Sequence, residues 1–130
     1  MDTRKRIYLM LTNRQFMRLA PYIFWGLMLI TSTLLLIELA PPPSGWPYKD
    51  KVEHMVAFAA LGTFGYFSYP RKSIWVYWGL AVYGLLMEWM QGAFTLTRTA
   101  SIYDWVADVV GVLLSALAIY LLKNTNDNRI

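Results

Sequence analysis

Long runs without a single charged side chain constrain this chain more than any other feature, because few folds other than membrane bundles accommodate them. The run at 22–37 has no charge at all, and three further apolar stretches follow, separated by prolines and by Lys or Arg. Apolar residues exceed half of the 130, and aromatics alone supply 16%, which is too greasy for a soluble domain of this length. Charged residues are 15% of the chain and gather at the ends of the runs. The bilayer, not water, is the solvent this pattern anticipates.

The net charge of +4 raises the question of nucleic acid, but the basic residues flank the apolar runs instead of lining one face, so no nucleic-acid partner is expected. Cysteine is absent, which excludes disulfides, thiolate metal sites and thiol nucleophiles. Arg4, Lys5, Arg6, Arg14 and Arg18 ahead of an apolar run resemble the start of a signal peptide. That run is long for a signal core, and its one small-residue cleavage point, Ala40, precedes Pro41, Pro42 and Pro43. A retained anchor is expected.

The expected fold is all-α, an integral membrane bundle of four transmembrane helices at about 22–39, 52–69, 73–94 and 101–122. Pro21 opens the first span and the consecutive prolines close it, since they cannot continue a helix. Pro70 ends the second, and the short turn through Arg71 and Lys72 makes the second and third antiparallel neighbours. Residues 1–20 form a basic cytoplasmic or interfacial segment, with 7–11 lying along the membrane surface, and 123–130 form a frayed cytoplasmic tail. A transmembrane barrel is excluded because none of the runs alternates in polarity.

Orientation follows from the basic residues: nine lie on the side of the termini and only Lys49, Lys51 and Arg98 on the other. Both termini are therefore expected in the cytoplasm, with the chain multi-pass in the inner (cytoplasmic) membrane. Trp46, Tyr48, Trp89, Tyr103 and Trp105 then mark the outer interface, and Tyr66, Tyr69, Trp75, Tyr77, Trp78 and Tyr120 the inner one. Interfacial anchoring accounts for these aromatics.

On this topology the unusual residues fall on one side. Glu38 ends the first span, Glu53 and His54 open the second, Glu88 and Gln91 sit in the last turns of the third, Arg98 is in the loop, and Asp104 and Asp108 open the fourth. His54, Glu88 and Asp108 lie on the order of 5 to 10 Å inside their span ends, a shared depth. Helical spacing puts His54, Phe58, Leu61 and Gly65 on one face, Gly84, Glu88 and Gln91 on another, and Ser101, Asp104, Asp108, Gly111 and Ser115 on a third. An unpaired carboxylate at that depth costs at least a few kcal/mol, so such groups pair, protonate, bind a cation or line a hydrated cavity. The expectation is one outward-facing polar pocket with Lys51 and Arg98 on its rim and His54, Glu88, Asp104 and Asp108 inside. Snorkelling explains Glu38, Lys49, Asp50 and Glu53, and close helix packing explains Gly62, Gly65, Gly84 and Gly111.

The combination and order of these residues resemble the VanZ-like family of small membrane proteins. Asp50-Lys51-Val52-Glu53-His54 with Phe58 and Leu61-Gly62 looks like that family's first motif, and Glu88 with Gln91 like its second. Arg98, Ser101, Asp104, Asp108 and Gly111 resemble its third, with Asp108 where asparagine is usual and Ser115 where glycine often stands. The likeness covers about 49–122 and implies a multi-span membrane protein; the family takes its name from a member linked to resistance to the lipoglycopeptide teicoplanin.

Two functions fit the residues. In the first, the chain binds or handles an amphiphilic envelope ligand, such as a lipid, a lipid-linked glycan or a lipoglycopeptide. Lys51 and Arg98 hold an anionic head group with help from His54, Glu88, Gln91, Ser101, Asp104 and Asp108. In the second, it is an intramembrane enzyme acting on a lipid-borne ester or phosphate, with His54 as base and Glu88 or Asp104 as acid. A metal-assisted version would draw on Glu53, His54, Glu88 and Asp108; one histidine and no cysteine argue against a zinc cage and favour Mg²⁺ or Ca²⁺. No nucleophile elbow, P-loop or HExxH motif is present, and neither a resident metal nor another cofactor is expected. A proton path would stop short of the inner half, since the polar residues do not continue past Ser115 or Gly84, unless a homo-oligomer completed it.

Overall fold

A computed structural model describes residues 2–37, 48–96 and 99–127. Glu38, Leu39, the three consecutive prolines, Trp46 and Arg98 lie outside the described residues. The described chain is all-helical: α1 (Thr3–Leu11), α2 (Arg14–Leu36), α3 (Lys49–Ser68), α4 (Ser73–Phe94) and α5 (Ile102–Asp127), with a 3-10 turn at Pro70–Lys72 between α3 and α4.

Local chemistry sets most of these ends. Asp2 caps α1 by accepting from the Arg4 amide at 3.3 Å, and Asn13 caps α2 by accepting from the Gln15 amide at 2.8 Å. Because Asn13 supplies that cap, α2 begins well before 22, and Pro21 lies inside it rather than opening it. Pro21 lacks the N–H that would bond the Met17 carbonyl, yet the helix continues through it. At its other end α2 stops at Leu36, with Ile37 extended, short of the expected 39. Pro70 forces Tyr69 out of helical geometry, at φ −135° and ψ 62°, and so ends α3. The bounds of α4 coincide with the expected third span. Beyond 122, α5 stays helical to Asp127, through part of the segment expected to fray.

α3 is the central element, packed against α5, α2 and α4. Its contact with α5 is the closest, and a glycine permits it. A Cβ built on Gly111 would overlap the Met55 carbonyl oxygen and come within 3.0 Å of the Ala59 amide nitrogen. Phe24, Phe58, Leu61, Leu80 and Val112 fill the middle of the bundle, while Ala20, Phe67 and Ile119 pack with Leu11 and Phe16 toward the α1 end. Thr63 and Ser115 hydrogen-bond between α3 and α5 at 2.9 Å, and Ser32 and Tyr83 between α2 and α4 at 2.6 Å.

The distribution of polarity is inverted relative to a water-soluble domain. His54, Glu88, Gln91, Asp104 and Asp108 are buried, whereas Trp75 is 74% exposed, Leu29 70% and Leu113 62%. Two helices, Arg14–Leu36 and Ile102–Asn124, are long and apolar enough to cross a membrane.

The α3–α5 contact is testable. Gly111→Ala should lower stability in detergent by about 1–3 kcal/mol, the range for overpacking. Gly79→Ala, where a new Cβ meets nothing within 4 Å, should be neutral or stabilising. Thermal or denaturant unfolding of the two variants beside the parent chain makes the comparison.

Candidate functional site

Antiparallel helices bring the polar residues to one end of the bundle. His54 lies in the second turn of α3, Glu88 and Gln91 in the last two turns of α4, and Asp104 and Asp108 in the first two turns of α5. The imidazole of His54 stands between two groups of carboxylates. Its Nδ1 is 2.7 Å from Asp108 Oδ1 and 3.9 Å from Glu88 Oε1, and its Nε2 is 3.9 Å from Asp50 Oδ2. With Asp108 ionised, the ring donates its Nδ1 proton to Oδ1, which leaves Nε2 on the Asp50 side. The His54, Glu88 and Asp108 side chains are 3%, 5% and 0% exposed.

Neighbouring groups satisfy part of this charge. The Ser101 amide donates to Glu88 Oε2 at 3.0 Å, which also places the carboxylate at the positive end of α5. Lys51 Nζ donates to Asp104 Oδ1 at 3.1 Å. This hydrogen bond, and then the Asp104 charge, raise the Lys51 pKa and keep its ammonium protonated. Partial burial, followed by repulsion from Asp104, pushes the Asp50 carboxyl up. Glu88 Oε1 and Asp108 Oδ2 are left with no hydrogen-bond partner among the described residues. Gly84 makes room for the latter: a Cβ there would lie 2.9 Å from Oδ2.

Two of the expected site residues, Gln91 and Ser101, line the polar well and also make contacts that hold the scaffold. Gln91 Nε2 donates to the Leu35 carbonyl at 2.7 Å, satisfying one of the open acceptors in the last turn of α2. Ser101 acts through its backbone amide. Glu53 is exposed and pairs with Lys49 at 3.7 Å, in keeping with its assignment to the interface, so the metal-assisted version that also drew on it is corrected: it does not join the buried set. Asp50 is the converse. It was assigned to snorkelling, but it faces the ring of His54, and its position one helical turn before His54 was the available signal.

Three cavities lie side by side at this end of the bundle. A polar well of about 360 Å³ is lined by Asp50, Lys51, Gln91, Thr99, Ser101 and Asp104. On one side, between α2 and α3, a cleft of about 350 Å³ shares Asp50 with the well and continues along Leu34, Leu35 and Phe58. On the other, between α4 and α5, a cleft of about 590 Å³ shares Ser101 with it and continues along Leu86, Trp89 and Trp105. Trp105 is anchored there by an indole N–H donated to the Ala81 carbonyl at 2.9 Å. Two sets of residues offer donor atoms within 4.8 Å of one another, a spacing suited to a cation: His54, Glu88 and Asp108, all buried, and Asp50, His54 and Asp104 nearer the surface.

The His54–Asp108 contact predicts an order of variants. Asp108→Asn retains an acceptor for the Nδ1 proton and should unfold within about 1 kcal/mol of the parent. Asp108→Leu orphans that donor in a buried site and should cost about 1–3 kcal/mol, read by unfolding in detergent. Compared with known proteins, the chain matches no family model, no curated protein and no solved structure.

Proposed function

We propose that this chain is a four-span inner-membrane protein, with both termini in the cytoplasm, that takes an amphiphile from the outer leaflet with its head group in the polar well. The inverted distribution of polarity supports the membrane reading, since an exterior of Leu, Val and Trp is stable in lipid and aggregation-prone in water. The two remaining spans draw on composition. α4 has a single charged residue, Glu88, and its tryptophans, tyrosines and glycines lower its mean hydropathy without adding charge. In α3 the charges are confined to the first turns, and the rest of the helix is uncharged through Ser68.

The single observation behind the ligand class is a polar well flanked by two largely apolar clefts, with Asp50 lining the well and one cleft and Ser101 lining the well and the other. A molecule matched to that shape has a polar head and apolar chains. Lys51, the cation on the rim, is shared with Asp104, and an anionic head group would compete for it, with Arg98, the residue before Thr99 in the sequence, as a second cation. The VanZ-like motif order is consistent with an envelope ligand of this class and makes teicoplanin one ligand to try.

A second reading, an intramembrane enzyme acting on a lipid-borne ester or phosphate, draws on one contact. The hydrogen bond to Asp108 fixes the ring of His54 and presents Nε2 toward the α2–α3 cleft.

Thermal unfolding in detergent with a panel of anionic phospholipids, a lipid-linked glycan and teicoplanin tests the proposal. At about 100 times its Kd, a ligand that binds only the folded state adds about 2.7 kcal/mol. At least one panel member should protect the parent chain, and Ala57→Trp, which fills the α2–α3 cleft, should lose that protection while still folding. Absence of protection across the panel, or equal protection of Ala57→Trp, contradicts the reading; turnover of a panel lipid that disappears in His54→Gln moves it to the enzyme.

A further inference from the structure

Two carboxylate oxygens without partners, Glu88 Oε1 and Asp108 Oδ2, are buried beside one imidazole. A bound cation is one of the ways such oxygens are compensated. Among the described residues the nearby ammonium groups are engaged elsewhere, Lys51 with Asp104 and Lys49 with Glu53, and no Lys or Arg pairs with Glu88 or Asp108.

The spacing suits an ion. Ligand bonds of about 2.0–2.2 Å place donors around a tetrahedral ion about 3.3–3.6 Å apart. The 2.7 Å and 3.9 Å separations from His54 Nδ1 bracket that distance, and one donor atom each from His54, Glu88 and Asp108 lies within 4.8 Å of the others. Charge balances as well: with the ring proton moved from Nδ1 to Nε2, on the Asp50 side, two carboxylates and a neutral imidazole neutralise one divalent cation in a site too buried to hold net charge cheaply. The surroundings are built to orient the ligands. The Ser101 amide holds the second oxygen of Glu88, and Gly84 keeps α4 clear of Asp108. The polar well lies alongside, where Asp50 and Asp104 line it and form with His54 a second, less buried set of oxygen and nitrogen donors.

We propose that His54, Glu88 and Asp108 form a buried site for one divalent cation. Composition alone favours Mg²⁺ or Ca²⁺ over a closed zinc cage, but one imidazole nitrogen with two carboxylates in place suits an open Zn²⁺ or Mn²⁺ site better than Ca²⁺, which takes six to eight oxygens, and three protein ligands leave a coordination position for water or substrate. The site does not depend on the amphiphile reading, because an ion binds or fails to bind here whatever occupies the clefts.

The test uses full-length, tag-free protein in detergent, stripped with chelator and titrated with Zn²⁺ alone or Mn²⁺ alone. One ion per chain is expected. His54 is the only histidine, so bound Mn²⁺ should show the nitrogen modulation of a single imidazole in its spin-echo spectrum. Glu88→Gln keeps an acceptor for the Ser101 amide and should fold, but it should bind at least tenfold more weakly. Glu53→Gln, which removes a nearby acid outside the set, should bind as the parent does. No ion bound to the folded parent, an unchanged affinity in Glu88→Gln, or bound Mn²⁺ without imidazole nitrogen each overturns the proposal.

Discussion

Charge buried between helices is the constraint on which the rest of this structure depends. Asp108 is fully enclosed, and a lone carboxylate there would be expensive even after relaxation. The cost is reduced by a 2.7 Å contact with His54, by the Ser101 amide on the neighbouring Glu88, and by Lys51 on Asp104. Each contact joins two different helices or a helix to the loop before α5, so the same interactions that compensate charge also set the order and register of α3, α4 and α5. Removing one partner leaves the others uncompensated, which makes the cluster a structural clamp.

Close packing then holds the clamp in place. Gly111 lets α5 approach α3 until backbone meets backbone, and Gly84 performs a related service between α4 and Asp108. Small residues at helix contacts serve a bundle in lipid, where apolar side chains gain little by leaving the solvent and packing must supply the attraction. The interhelical hydrogen bonds of Thr63 with Ser115 and Ser32 with Tyr83 belong to the same economy of contacts. The polar well and its two clefts are what remains open once these helices have closed around the cluster.

Much of this was legible in the sequence, and the exceptions have physical reasons. Proline at the start of a tight turn marked the α3–α4 junction correctly because Pro70 stops a helix ahead of it. Pro21 misled because a proline within a helix costs one hydrogen bond without forcing an end, and the cap at Asn13 had already set the start. Helical periodicity and similar depth grouped His54, Glu88, Asp104 and Asp108, which the structure brings together. Depth alone discounted Asp50 because it lies at the interface, although periodicity puts it on the face of His54 and Glu53 on another. The role of Gln91 was not readable at all, since it depends on where the last turn of α2 stands in space.

The central claim is that the buried cluster lies at the outer face of a four-span bundle. Because the chain has no cysteine, single cysteines can be introduced one at a time and labelled in intact cells with a membrane-impermeant thiol reagent. The account predicts that Thr99→Cys, on the rim of the well, reacts from outside, while Lys72→Cys and Lys123→Cys react only after the membrane is opened. Labelling of Lys72→Cys in intact cells, or protection of Thr99→Cys until lysis, would contradict it.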